Sequence, residues 1–103
     1  MNIENLKTML AQGQDSLILR FGLGQALIKS GESAEAIEHL IKALEFDAEY
    51  SAAYKLLGKA YMQTDQNDLA KSTYEKGIEI AENKGDIQAA KEMKVFLNRL
   101  NKT

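Results

Sequence analysis

Tyr54-Lys55-Leu56-Leu57-Gly58-Lys59-Ala60-Tyr61 is the stretch from which the rest of the chain can be read. Thirty-four residues before Leu57-Gly58 stands Leu23-Gly24, and the offset keeps holding. Ala26 maps to Ala60, Ala36 to Ala70, Lys42 to Lys76 and Glu45 to Glu79. Near matches follow: Leu27 becomes Tyr61, Leu40 becomes Tyr74, Ala43 becomes Gly77 and Leu44 becomes Ile78. A period of this length belongs to a repeated helical pair, and such arrays bury their apolar faces by stacking on one another.

The bulk composition is compatible with that reading. A chain of 103 residues is one domain at most. It is 45% hydrophobic and 27% charged, the balance of an ordinary globular domain. Its net charge of −2 gives no cationic footprint for a nucleic-acid backbone. With no cysteine, disulfides, thiolate zinc sites and cysteine nucleophiles are excluded. Met1-Asn2-Ile3-Glu4-Asn5 lacks the basic and apolar regions of a secretory signal. No apolar run approaches the roughly 20 residues of a membrane span, so a cytoplasmic protein is expected.

The chain has no proline, and apolar residues recur at helical spacing with no sustained two-residue alternation, which predicts an all-α fold. Six helices are expected: Ile3 to Gln12 with Gly13 as its stop, Ser16 to Ser30 opened by Asp15 and closed by Gly31, Ala34 to Phe46, Tyr50 to Gln63, Asp68 to Asn83, and Asp86 to Leu100 after the break at Gly85. Ser33 and Asn67 hold equivalent places in the two repeats and are predicted N-caps, each worth about 1 kcal/mol.

The second repeat reads Tyr54-x2-Leu57-Gly58-x2-Tyr61, then Ala70-x3-Tyr74, then the small Gly77. This closely resembles the tetratricopeptide repeat (TPR) signature, with Tyr54 in the Trp place and Tyr74 in the Phe place. The first repeat is looser: Leu23-Gly24-x2-Leu27, Ala36-x3-Leu40, Ala43, with Arg20 in the Trp place. Ala48 and Glu82 stand where the family usually closes with Pro, so those helix ends are expected to fray or run on. The resemblance, which is to small stand-alone bacterial TPR proteins, implies a right-handed α-solenoid of antiparallel helix pairs. Its divisions are a half-repeat helix over 1–16, repeats over 17–50 and 51–84, and a capping helix over 85–103.

Packing accounts for the pattern. Glycine inside a helix costs roughly 1 kcal/mol against alanine, so Gly24 and Gly58 are expected to let the second helix of each pair cross closely. Ala36, Ala70, Ala43 and Gly77 are the matching small surfaces, with Leu40, Tyr61 and Tyr74 filling the gaps between pairs. Leu6, Met9 and Leu10 align with Leu40, Ala43 and Leu44 after a 34-residue shift, so the first helix reads as the second half of a truncated repeat. The last helix carries the stripe Ala89, Met93, Phe96 and Leu100, yet Lys91-Glu92 fall at its Leu-Gly place. It must therefore dock with a shifted register as a cap, or turn the stripe to the groove or to a second copy as a dimer seam.

No catalytic constellation, cofactor motif or metal site is expected. His39, the single histidine, stands beside Glu38 with no acidic pair expected at ligand spacing. Gly22-Leu23-Gly24 follows no strand, and the repeat explains it better than a phosphate loop does. The resemblance implies that the first helix of each pair lines a concave surface holding a peptide or helix of a partner protein. That surface is expected to show Ile18, Phe21, Gln25 and Ile28, then Lys55, Leu56, Lys59 and Met62. Lys55 and Lys59 share a helical face, so both could reach one anionic group. One subtype of the family grips chaperone C-termini through a Lys, Asn and Arg clamp; Phe21, Gln25 and Leu56 occupy those places here and argue against such a clamp. The expected function is protein binding as a scaffold or adaptor, by a monomer or weak homodimer, with self-association through the last helix as the alternative.

Overall fold

The computed structural model describes residues 2–102, which form six helices and no strand. They are α1 (Ile3–Ala11), α2 (Leu17–Lys29), α3 (Ser33–Phe46), α4 (Ser51–Gln63), α5 (Asn67–Lys84) and α6 (Ile87–Asn101). α2 packs on α3 and α4 on α5 as antiparallel pairs, α3 joins the two pairs by packing on α4, and α1 and α6 cover the ends. The result is an α-solenoid 42 Å in its longest dimension.

Its core has two centres. Leu6, Leu19, Leu23, Leu27, Leu40 and Leu57 form one, and Tyr54, Tyr74, Ile78, Ala90, Met93 and Leu100 form the other. Leu44 and Tyr61 pack against both, so Tyr61 does bridge the pairs. Leu40 and Tyr74, which share these core centres, also act within their own pairs. A Cβ on Gly24 would lie 2.7 Å from Leu40 Cγ, and one on Gly58 would lie 2.6 Å from Tyr74 Cζ. Each glycine therefore makes room inside its own pair for the large side chain of the second helix, rather than for that helix's backbone.

Four helices end in the same turn. Amide N–H groups of Gln14, Glu32, Gln66 and Asp86 reach back to the carbonyls of Met9, Leu27, Tyr61 and Ala81 at 3.1, 2.8, 2.8 and 2.8 Å. The residue before each amide is left-handed: Gly13, Gly31, Asp65 and Gly85, at φ 88°, 84°, 59° and 78°. This turn overrules the predicted caps. Glu32 and Gln66, which close the turns, are themselves the N-cap residues of α3 and α5, and neither makes a side-chain cap bond. Ser33 and Asn67 are thereby the first residues inside their helices, and Ser33 donates its hydroxyl hydrogen to the Gln63 side chain instead. α2 is likewise capped by Ser16, whose Oγ accepts from Leu19 N–H at 3.1 Å, while Asp15 pairs with Arg20.

The shifted register of α6 has a simple origin. Neither closing place holds proline, yet only α5 runs on, to 18 residues, past Glu82, while α3 stops at Phe46, before Ala48, after 14. The link 85–86 then replaces the longer link 47–50, so Ile87 follows Ser51 by 36 residues where Ser51 follows Leu17 by 34. The two-residue slip brings Met93 to the place of Leu57 and Ala90 to that of Tyr54, and Met93 packs its Sδ over Gly77. Ala89, Met93 and Leu100 are buried inside the chain, and Phe96 stacks on Tyr74 at 5.8 Å between ring centroids. Three of the four stripe residues thus face the interior of the chain, and Phe96 is half-buried. Asp86 fastens the start of α6, accepting from Ala89 N–H at 3.4 Å and from the Ser51 hydroxyl at 2.6 Å; that Ser51 bond, and then the bond from Ala89, hold its carboxyl below the usual range.

Candidate functional site

The first helices of successive pairs, α2 and α4, stand side by side with α6, and a hollow of about 300 Å³ opens between them. Ile28 from α2, Leu56 from α4 and Phe96 from α6 make its apolar surface. Gln25, Lys29, Lys55, Lys59 and Glu92 supply its polar groups. Five of the eight residues expected on the concave surface meet here: Gln25, Ile28, Lys55, Leu56 and Lys59.

The other three lie elsewhere. Ile18 is 76% exposed and lines a separate hollow of about 270 Å³ against Leu6 and Met9 of α1. It shares a helical face with Gln25, but seven residues along the axis is about 10 Å, which places it beside α1 rather than α4. Phe21 is half-buried and meets Tyr50, in the link before α4, edge to face at 5.1 Å between centroids. Met62 accepts a hydrogen bond at its Sδ from Tyr74 Oη, at 3.4 Å, and packs with the second core centre.

Lys55 is also not free to share an anion with Lys59. Its Nζ lies 2.9 Å from Glu92 Oε2, and Gln88 Nε2 donates to the other oxygen at 3.2 Å. Lys55 is the first cause, and Gln88 the second, of the lowered pKa of Glu92. Lys29 and Lys59 are exposed and hold no ion pair among the described residues. Lys29 and Glu92 are the lining residues that sequence reading missed. Lys29 could have been found, standing four residues after Gln25 on the same face. Glu92 could not, because its position depends on the two-residue slip of α6.

His39 departs from expectation as well. Its Nε2 lies 3.9 Å from a Glu35 oxygen and 3.7 Å from a Glu38 oxygen, so an acidic pair does stand within reach. Glu35, four residues earlier on the same face, is the signal that was passed over. These three side chains offer donor atoms within 4.8 Å of one another. Lys7 already neutralises Glu35 at 2.8 Å, and Arg20 Nη1 faces His39 Nδ1 at 3.0 Å. A cation would have to enter against both charges, so the cluster is an ion-pair network between α1, α2 and α3.

Stacked helical pairs with an inner hollow built from their first helices define a helical-repeat protein. Residues 24–65 match a family model described as TPR repeat, and residues 51–84 one described as tetratricopeptide repeat. A TPR repeat-containing protein of Pseudomonas aeruginosa is 45% identical over 102 residues, covering 99% of this chain and 97% of its own length. The solution structure of a Bordetella parapertussis protein superposes with a TM-score of 0.87 at 40% identity, over 99% of this chain and 89% of that one. The crystal structure of a Salinibacter ruber tetratricopeptide repeat domain gives 0.76 at 28% identity, over 84% and 97%. The chain belongs to the tetratricopeptide repeat family. No helix among the described residues is long and apolar enough to cross a membrane.

Proposed function

We propose that this protein is a cytoplasmic adaptor that holds a peptide or helix of a partner protein in the hollow between α2, α4 and α6. One observation carries the reading: half-buried Leu56 and Phe96, over a buried Ile28 from a third helix, line one hollow beside the exposed Lys29 and Lys59. An apolar surface inside a concave, polar-rimmed site is what a bound segment covers. Membership of a family whose members generally mediate protein interaction supports a binding role rather than a catalytic one.

The test is affinity capture from native-host lysate with tagged protein. The double variant Lys29→Glu with Lys59→Glu should lose the captured partner, while Lys76→Glu on the exposed face of α5 keeps it. Circular dichroism and melting temperature should stay close to wild type in both, since all three side chains are exposed and unpaired. Undiminished capture by the Lys29 and Lys59 variant would sink the groove assignment.

A further inference from the structure

We propose that Glu92 is an internal competitor in this groove, and that the partner segment pairs apolar side chains with neighbouring carboxylates. The proposal rests on the groove reading above and adds the chemistry of the ligand. Glu92 belongs to α6 and Lys55 to α4, so their 2.9 Å ion pair spans the hollow. Both side chains are about two-thirds shielded from water. The pair shows that a carboxylate can be held beside the apolar surface of Leu56 and Phe96. Lys29 and Lys59 offer the same chemistry and are unoccupied by any acidic side chain. Three ammonium groups against one carboxylate make the hollow cationic in a chain whose net charge is −2. Leucine-like side chains on half-buried Leu56 and Phe96, with carboxylates on Lys29 and Lys59, therefore complement it in both respects. A further carboxylate reaching Lys55 must displace Glu92, and swapping one carboxylate for another leaves the ion-pair count unchanged. Glu92 thus weakens every acidic segment by the strength of one partly exposed ion pair, up to about fivefold in affinity.

Fluorescence polarisation tests this with a labelled nonapeptide of two adjacent leucines flanked by glutamates, amidated at its C-terminus so that only side-chain carboxylates are offered. Two further probes carry lysine or serine in place of glutamate. The glutamate probe should bind best, and more weakly as salt rises. Glu92→Gln should tighten it by about two- to fivefold. Lys29→Glu with Lys59→Glu should weaken it at least tenfold. In a Lys55→Gln background the gain from Glu92→Gln should vanish. A gain that persists there, or Glu92→Gln that leaves affinity unchanged, overturns the competitor. Equal or tighter binding of the lysine or serine probe overturns the acidic ligand while leaving the groove reading in place. Failure of every probe overturns the ligand chemistry proposed here, and the lysate capture then judges the groove separately.

Discussion

Arg20 Nη1 lies 3.0 Å from Nδ1 of His39, tying α2 to α3, while Arg20 Nε and Nη2 hold the two oxygens of Asp15 at 2.7 and 2.9 Å. A guanidinium can only donate, so Nδ1 accepts and the imidazole is neutral with its proton on Nε2. That proton faces Glu38 and Glu35. The residue that departs most from the family pattern, an arginine in an aromatic's place, therefore has a structural use: it fixes the tautomer of a buried histidine.

This arrangement predicts acid sensitivity. Burial is the main cause that pushes His39 below its ordinary 6.5, with Glu38 opposing and Arg20 reinforcing. As pH falls, the unfolded chain takes up the proton before the folded one does. Stability is then lost from about pH 6.5 down through the lowered value. Asp15 and Asp86, held below 3.8 by hydrogen bonds first from Arg20 and from Ser51, respectively, contribute only at more acid pH. Urea unfolding at a series of pH values should show wild type losing stability between pH 7 and 5. His39→Gln should be less stable at pH 7 but flat over that window. A flat wild-type profile would contradict the lowered pKa of His39.

Asp65 is the weak copy of Gly31. Both end a first helix in left-handed backbone, at φ 59° and 84°, yet only one is glycine. A side chain in that region costs on the order of 1 kcal/mol, aspartate being among the better tolerated. Asp65→Gly should stabilise the fold by about 0.5 kcal/mol and Gly31→Ala should destabilise it by about 1 kcal/mol. The pair is checked by urea midpoints at constant slope.

Gly24 and Gly58 should respond unequally to alanine. At Gly24 the added methyl meets Cγ and Cδ2 of Leu40, and at Gly58 it meets the larger, more rigid ring of Tyr74 more closely still; both side chains are fully buried. Alanine regains roughly 1 kcal/mol of helix propensity at either site. Overpacking costs about 1–3 kcal/mol and more where nothing can yield. Both changes are expected to destabilise, Gly58→Ala by about 2 kcal/mol and Gly24→Ala by about half that. Equal effects in thermal unfolding would mean that Tyr74 can move aside.

Phe96 is half-buried between Tyr74, stacked at 5.8 Å, and the Arg99 guanidinium 5.7 Å from its ring centre. Phe96→Ala should cost about 2 kcal/mol by loosening the cap. Light scattering should give the same mass for Phe96→Ala as for wild type at equal concentration. A drop from dimer to monomer on this substitution would make the stripe a seam between two copies.

Much of the architecture was legible because it rests on local rules. The 34-residue echo, the small residues at helix crossings and the glycines in left-handed turns each follow from helix period or from what a backbone without Cβ can do. These fix six helices and their pairing. The site was legible only in part. Periodicity names the face of a helix but not the neighbour opposite each turn of it, so Gln25 and Lys59 line one hollow while Ile18 meets α1 and Phe21 meets Tyr50.

Tertiary structure alone decided the rest. Ser33 lost its predicted cap because the turn closing α2 had already supplied Glu32 as the N-cap residue. Glu92 entered the groove because α5 ran on and carried α6 two residues out of register. Arg20 found His39 nineteen residues away. The period, a property of consecutive residues, told which helices would stack; the contents of the groove depended on where distant helices stop, which packing and not propensity sets.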